Sequence, residues 1–406
     1  MSALANLLKD KGFDVCGSDV KDYYFTEDNL ISNDIPIFEF NEKNVTGDCF
    51  YVIGSAYNEE NVEVNTIIKN NYMYLYYNDF IASMIGQRLI ACSGTHGKTT
   101  TSHFIVKMLG DECNYIIGDG SGKGFDNELL VLEACEYKEH FLSYKPYLGI
   151  ITNIEMDHTD YYKNKKQLFN AFCKFAKNSR IILANGDDKL IKKIKHPHKI
   201  TYGFKKHNDA IIKILSTTTK GYYIKLEYQN NYYLKVPYLG RHMIYNYVAA
   251  YLTSIILGKS VTKDIQLSLP KKRMTKIMYK NAILIDDYAH HPTEIKSLYE
   301  SLKLTYPNYK LNVLFQPHTY ERTIKFKKNF VKELKKFNDV YIMNVFSSRR
   351  EKECSDKQNI VNAAFKKFKK IENCNFNEIG KKKEVWIFLG AGNASKYMYK
   401  IINENE

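Results

Sequence analysis

The sequence predicts an α/β protein of several units, and three observations predict it. Short apolar runs alternate with amphipathic stretches along the whole chain, the pattern of strands and helices that builds parallel sheets. A length of 406 residues exceeds what one ordinary core serves and indicates two or three domains, with a hydrophobic fraction of 44% ample for folded units. The segment Gly94-Thr95-His96-Gly97-Lys98-Thr99-Thr100-Thr101 lies between the apolar run 88–93 and a helical stretch at 102–109. Strand, glycine-rich turn and helix are the context that makes a phosphate loop credible.

The first stretch begins helical at 1–11. Phe13-Asp14-Val15-Cys16-Gly17-Ser18-Asp19 reads as a strand ending in an acid, 49–53 as another strand and 62–69 as a helix. Strands alternating with helices make a parallel sheet. Taken alone, Asp19 reads as an acid in a solvated turn.

The second stretch opens on the phosphate loop. Its glycines let the backbone turn tightly and aim N–H groups at phosphate oxygens, and the following helix N-terminus adds partial positive charge. Lys98 is placed to reach β/γ-phosphates and the Thr99 hydroxyl to ligate Mg²⁺. Gly94, Thr95, His96, Gly97, Lys98, Thr99 and Thr100 are therefore candidate ATP ligands. Position 92 is Cys where the commoner G-x-x-x-x-G-K-[ST] form has Gly. Residues 129–136 read as a buried strand ending in acids, and 147–154 as an apolar strand followed by Glu155-Met156-Asp157-His158. Both ends fall where open α/β sheets bind ligands, outside the carboxyl ends of the strands. Mg²⁺ prefers oxygen ligands, so chemistry alone supports Glu133 better than His158. Glu136, His140 and Asp160 read equally well as ordinary surface residues. Residues 200–236 alternate in short strands broken at Lys220-Gly221 and Gln229-Asn230-Asn231, which suggests hairpins on a sheet edge. Leu239-Gly240-Arg241-His242-Met243-Ile244-Tyr245-Asn246 then opens a helix over 244–257.

The third stretch starts after Lys271-Lys272-Arg273-Met274, a basic run that alone reads as a solvated face. A strand at 283–285 leads into Asp286-Asp287-Tyr288-Ala289-His290-His291-Pro292, with a helix starting at the Pro. Two adjacent histidines on an extended segment point opposite ways, which argues against a shared metal. In Val313-Leu314-Phe315-Gln316-Pro317-His318-Thr319-Tyr320-Glu321-Arg322-Thr323, the planar guanidinium of Arg322 suits a carboxylate. Phe388-Leu389-Gly390-Ala391-Gly392-Asn393 is one more glycine-rich strand-to-helix turn.

Together, the short G-T-x-G-K-T loop, the stretches 133–142 and 152–161, the D-D-Y-x-H-H-P run and 313–323 resemble the Mur ligase family. These are ATP-dependent ligases that build the peptide of bacterial cell walls. Within the family the likeness is to the Gram-positive-like form of the branch joining L-alanine to UDP-N-acetylmuramate, and it runs from about Met1 to Tyr399. It implies three domains: a Rossmann-like sugar-nucleotide domain over 1–86, a P-loop-type central ATPase domain over 87–268 and a Rossmann-like ligase domain over 269–406. It implies that Ser18 and Asp19 close the second strand of the first domain. Glu133 and His158 match magnesium-holding residues, His158 on the resemblance alone. His242 and Asn246 match the family's G-x-H-N-x-x-N, while Met243 replaces its first Asn. Arg273 matches an arginine that meets ATP phosphates and Asp287 an acid on the ATP ribose. Tyr288 and His290 match the amino-acid site, and Arg322 an arginine near the amino acid's carboxylate. Thr319 stands where some members carry another Arg. The expected catalytic set is Lys98, Glu133, His158, His290 and Arg322.

In the family a first strand and a glycine-rich turn precede Met-Ser-x-Leu-Ala, so the first unit as given is expected to lack both. Other readings stay open: a sister ligase that adds a recycled tripeptide, a folate–glutamate ligase, or a non-catalytic nucleotide-binding regulator. Folate ligases, by the resemblance, lack the Asp-Asp-Tyr-Ala-His-His-Pro segment.

Composition argues against further classes. The net charge of +14 is carried by lysines scattered among Asn, Ile and Tyr, and no recognition helix or RNP-like motif accompanies them. A basic protein equally suits an anionic nucleotide. No run of 18 or more apolar residues exists, and the sequence as given shows neither a charged-then-apolar leader nor a lipidation motif. Eight cysteines occur without any CxxC, which fits neither a disulfide framework nor a zinc site. The expectation is a cytoplasmic enzyme, monomer or homodimer, with no nucleic-acid or membrane partner.

Overall fold

In the computed structural model the described residues are 1–21, 24–84, 88–259, 267–270, 272–347, 351 and 353–403. The expected boundary residues Gly86, Gln87 and Glu406, and Lys271 of the basic run, lie outside them.

The first unit runs α1 (Ser2–Asp10), β1 (Gly17–Asp19), α2 (Asp28–Ser32), β2 (Ile37–Glu39), β3 (Tyr51–Ile53), α3 (Val62–Lys69), β4 (Tyr74–Tyr76) and α4 (Tyr77–Met84). The strands are shorter than the sequence suggests: residues 13–16 and 49–50 lie outside them. The pairing also differs from the single parallel sheet expected. β1 pairs β2 and β3 pairs β4, each in parallel, but the two ladders are separate, and no described strand joins them. Three-residue strands bury little, and Phe13, Phe38, Phe50 and Met73 stay exposed. α1 is anchored elsewhere: Ala3, Leu4 and Leu7 are buried in a cluster with Ile116, Leu132 and Phe141 of the central unit.

The central unit holds β5 (Arg88–Ser93), α5 (Lys98–Leu109), β6 (Asn114–Ile116), β7 (Gly122–Lys123), β8 (Leu129–Glu133), β9 (Leu148–Ile151), α6 (Lys165–Asn178), β10 (Ile181–Asn185), β11 (Lys199–Gly203), β12 (Ala210–Thr218), β13 (Gly221–Tyr228), β14 (Asn230–Val236) and α7 (Arg241–Ile256). One sheet runs β14-β13-β12-β11-β10-β9-β5-β8-β6-β7. β12, β13 and β14 form the antiparallel hairpins expected at 200–236. β5 lies between β8 and β9, parallel to both, with Cys92 opposite Glu133 on one side and Ile150 on the other. The order reverses at β5, and a crevice opens at such a switch point beyond the carboxyl ends of the strands. α5 and α7 cover one face through Phe104, Ile105, Ile244 and Val248. α1, α4 and α6 cover the other through Leu4, Ile81, Phe172 and Phe175.

The third unit holds β15 (Thr275–Tyr279), β16 (Ala282–Asp287), α8 (Pro292–Thr305), β17 (Lys310–Phe315), α9 (Tyr320–Lys325), α10 (Lys327–Leu334), β18 (Asp339–Ile342), α11 (Ser355–Phe365), β19 (Lys369–Lys370), β20 (Glu384–Leu389) and α12 (Ala394–Asn403). Its sheet runs β15-β16-β20-β17-β18-β19, parallel except for β15. α8 and α10 pack on one face and α12 on the other. α8 begins at Pro292 as expected, and Glu294 completes its capping box with His291.

Candidate active site

The loop after β5 is shaped by two glycines that tolerate no side chain. Gly94 has φ 134° and a Cβ there would meet the Thr152 hydroxyl at 2.1 Å; Gly97 has φ 81° and a Cβ there would meet Asn246 Oδ1 at 2.6 Å. Positive φ favours glycine because it has no Cβ to clash. The helix therefore starts directly at Lys98, earlier than the stretch 102–109 suggests. The end of β9 braces the loop. The His96 N–H donates to Asn153 Oδ1 at 2.9 Å, and the His96 carbonyl accepts from the Thr152 hydroxyl at 2.6 Å and Asn153 Nδ2 at 2.8 Å.

Lys98 folds back on this loop. Its Nζ donates to the Gly94 carbonyl at 2.5 Å and lies 2.9 Å from Glu136 Oε2. Glu136 is 1% exposed, so its reading as a surface residue is overturned: it is buried where Lys98 and His158 converge, with His158 Nε2 at 3.4 Å. Burial alone would raise the Glu136 carboxyl, but the Lys98 charge and then His158 outweigh it and hold it at about 2. Burial likewise opposes charge on Lys98, and Glu136 lifts it above the ordinary lysine range. Next to this pair, the Thr99 hydroxyl donates to Glu133 Oε1 at 3.1 Å and the Gly118 N–H to Oε2 at 2.8 Å. Burial pushes the Glu133 carboxyl up, against the pull of Lys98. His158 has φ 46°, a conformation seldom adopted by non-glycine residues and concentrated at functional sites.

Two links tie the third unit to the loop region, the first of them buried. Arg322 Nε donates to Asp157 Oδ1 at 2.8 Å and Nη2 to Oδ2 at 3.1 Å, a bidentate pair with residues 7% and 5% exposed. Despite its burial, Asp157 is held well below the usual carboxylate range by Arg322. The second link is at the start of α8. His96 Nε2 lies 3.1 Å from Glu155 Oε2 and Nδ1 3.5 Å from Glu294 Oε1. The Thr293 hydroxyl donates to Glu155 Oε1 at 2.7 Å, and Arg273 Nη1 lies 3.6 Å from Glu294 Oε1. Burial works against charge on His96, but hydrogen bonds to Glu155 and Glu294 raise it to about 9.

His96, Glu155 and His291 have the closeness of metal ligands, as do Cys135, Glu136 and His158. The first trio is committed otherwise. Both His96 nitrogens face carboxylates, and His291 Nδ1 accepts from the Thr293 N–H at 3.3 Å, so in the neutral ring Nε2 carries the proton and has no lone pair to give. In the second, Glu136 is already paired with Lys98.

All three units wall one cavity of about 2250 Å³, which Ser18, Asp19, Thr95, His96, Gly97, Lys98, Thr99, Glu133, His158, Arg273, Tyr288, His290 and Arg322 line. Residues 1–88, 92–254 and 272–386 match in turn the Mur ligase family catalytic domain, the Mur ligase middle domain and the Mur ligase glutamate ligase domain. The chain belongs to the Mur ligase family. It is 34% identical to the UDP-N-acetylmuramate–L-alanine ligase of Streptococcus thermophilus over 98% of this chain and 93% of that protein. The UDP-N-acetylmuramate–alanine ligase of Thermotoga maritima shares the fold with a TM-score of 0.80 and 22% identity, covering 100% of this chain and 96% of that one. The MurF ligase of Thermotoga maritima, solved with ADP, matches with a TM-score of 0.66 and 16% identity over 90% of this chain and 98% of that one.

In this Mur ligase, several expected residues stand behind the cavity wall. Gly94, Thr100, His242, Asn246 and Asp287 do not line it. Asn246 projects from α7 onto the back of Gly97. Asp287 accepts from the Met274 and Ala289 N–H groups, both at 2.9 Å, and so fixes the linker. Burial, then the Arg273 charge, lowers the His242 ring to about 4. At the far end of the cavity the Tyr57 hydroxyl donates to Asp19 Oδ1 at 2.7 Å. Sequence reasoning missed Glu155, Asp157, Thr293 and Glu294 as site-forming groups. Glu294 carried a signal, its spacing from His291 in the α8 capping box. Asp157 carried none, because its partner lies 165 positions away.

Proposed function

We propose that this chain joins L-alanine to the lactyl carboxylate of UDP-N-acetylmuramate at the expense of ATP. The observation that carries the reading is 34% identity over 98% of the chain with a streptococcal protein of that activity. The three-walled cavity offers room for a sugar nucleotide, ATP and an amino acid together. A relative of the same fold, the MurF ligase, was solved with ADP, which is in keeping with a nucleotide ligand. Units 1–86, 87–268 and 269–406 serve in this reading as sugar-nucleotide, ATP and ligase domains, in a cytoplasmic enzyme.

ATP phosphorylates the carboxylate, the amine of L-alanine attacks the acyl phosphate, and the tetrahedral intermediate expels phosphate. The protein's part is positioning and charge neutralisation. Phosphates on the loop 94–100 take Lys98 from Glu136, and Arg273 meets them from the linker. His290 is pushed down to about 4 by burial despite Glu294, so it is neutral at pH 7. Its Nδ1 lies 3.0 Å from the Tyr288 carbonyl, to which it can only donate. Nε2 is then a lone pair that can receive the proton of the attacking amine. Arg322, held by Asp157, orients the amino acid's carboxylate.

Glu133 and Thr99 fit Mg²⁺: they offer adjoining oxygen donors, and the buried carboxylate lacks full compensation for its charge. His158 completes the proposed set. Bound there, the ion would supply positive charge beside the transferring phosphoryl group.

The test is ADP release with UDP-N-acetylmuramate while the amino acid or peptide is varied. Rapid release is expected with UDP-N-acetylmuramate, L-alanine and Mg²⁺ together. Equal release with a tripeptide in place of alanine, or with DNA and no sugar nucleotide, overturns the assignment.

A further inference from the structure

The phosphate loop is held from two sides, and the two sides meet at one side chain. The backbone of His96 is fixed by Thr152 and Asn153 at the end of β9. Its ring reaches across to the other unit: Nε2 stays with Glu155 of the central unit at 3.1 Å, and Nδ1 faces Glu294 of α8 at 3.5 Å. The same two carboxylates are engaged again from the third unit. Thr293 donates its hydroxyl to Glu155 Oε1 at 2.7 Å. Glu294 Oε2 accepts the His290 and His291 N–H groups at 3.0 and 3.2 Å, which fixes the stretch that the amino-acid site shares. Arg273 of the linker stands 3.6 Å from Glu294 Oε1. Two cations and two carboxylates thus interleave across the interface, each carboxylate touching a group from the opposite unit. The ring of His291 packs on that of His96 with centroids 4.7 Å apart, and its residue is 2% exposed, so this side of the contact is buried while the Glu155 side chain stays 41% exposed.

We propose that His96, Glu155, Thr293 and Glu294 form a positioning latch through which docking of the third unit and nucleotide binding on the phosphate loop reinforce each other. This rests on reading residues 94–100 as a nucleotide phosphate loop. When the third unit swings away, the His96 ring loses its α8 partner and Glu155 loses the Thr293 hydroxyl. Those contacts orient the loop from its outer side. A loop held in its phosphate-ready shape favours docking, and docking holds the loop in that shape. Such a linkage must act equally in both directions. Neither Thr293 nor Glu294 needs to touch the nucleotide for this.

The experiment measures ATP affinity by titration calorimetry, and the radius of gyration by small-angle scattering with and without ATP. It uses the full chain and its Glu294→Gln, Thr293→Val, His96→Gln and His96→Gln/Glu294→Gln variants. Glutamine can still reach back to the helix start as the capping box requires, so Glu294→Gln retains the fold. Thr293→Val removes only the hydroxyl. The latch predicts that Glu294→Gln and Thr293→Val each weaken ATP binding about fivefold or more, the lower end of coupling between linked sites. It also predicts that ATP lowers the radius of gyration of the parent chain but not that of either variant, and that His96→Gln adds little once Glu294 is changed. Parent-like ATP affinity in Glu294→Gln and Thr293→Val, or losses in the double variant that simply add, overturn the latch while the function stands. A parent chain that binds no ATP overturns the latch together with the loop reading beneath it.

Discussion

Lys98 and Glu133 lie 38 and 15 positions from the partners that fix them, Glu136 and Gly118. Both line the cavity, and the sequence singled them out, Lys98 by its glycine-rich loop and Glu133 by its place at a strand end. Replacing either by Ala is expected to remove a charge-stabilising group from a dry site, at a cost of ~3–4 kcal/mol or about 10²–10³ in rate. Steady-state ADP release checks this, with circular dichroism to confirm the fold; near-full turnover removes that residue from the site. What sequence could not show is commitment. Arg322 read as a planar partner for a substrate carboxylate, yet Asp157 already occupies one edge of it. Glu136 read equally well as surface because nothing local says that the lysine at the start of α5 will reach it. His96 yields a prediction of its own. Its folded value of about 9 lies above the ordinary 6.5, and Glu155, Glu294 and His291 are the titratable groups facing it. The proton is therefore held more tightly in the folded chain. Its stabilisation is complete below about 6.5 and is lost as pH rises through about 9. The urea midpoint of the parent chain should exceed that of His96→Gln at pH 6 and converge on it by pH 10. A gap that widens with pH contradicts this.

At the scale of elements, long runs with nearby punctuation were readable and short ones were not. β5 and α3 appear with the ends expected, and α8 starts at its proline. The strands of the first unit shrink to three residues because their length is decided by neighbours, not by their own apolar residues. Edges of β1 and β3 that no described strand pairs leave backbone groups to water, and short ladders open readily. Hydrogen exchange should therefore be fastest, among the described strands, in β1 to β4 and slowest in β5, β8 and β9. Addition of UDP-N-acetylmuramate should slow the first group most. Protection of β1 to β4 equal to that of β5 without ligand would refute the element-level reading.

At the scale of the whole molecule, the three-part α/β plan was legible because alternation of strand and helix signals persists along the chain. The way the parts meet was not. The pairs Asp157–Arg322 and Glu155–Thr293 join residues far apart in sequence through geometry that exists only once the units are docked. Their placement has a consequence for the order in which this chain is made. A nascent chain with residues 1–109 outside the ribosome carries the strand, loop and helix of the phosphate site. It lacks both flanking strands of β5, since β8 ends at Glu133 and β9 at Ile151. Domains fold largely as units during synthesis, yet here the loop gains its braces at Thr152 and Asn153, and its outer contacts only when Glu294 and Arg322 have emerged. The candidate phosphate loop is thus translated before the strands that flank it and is finished only when the third unit follows.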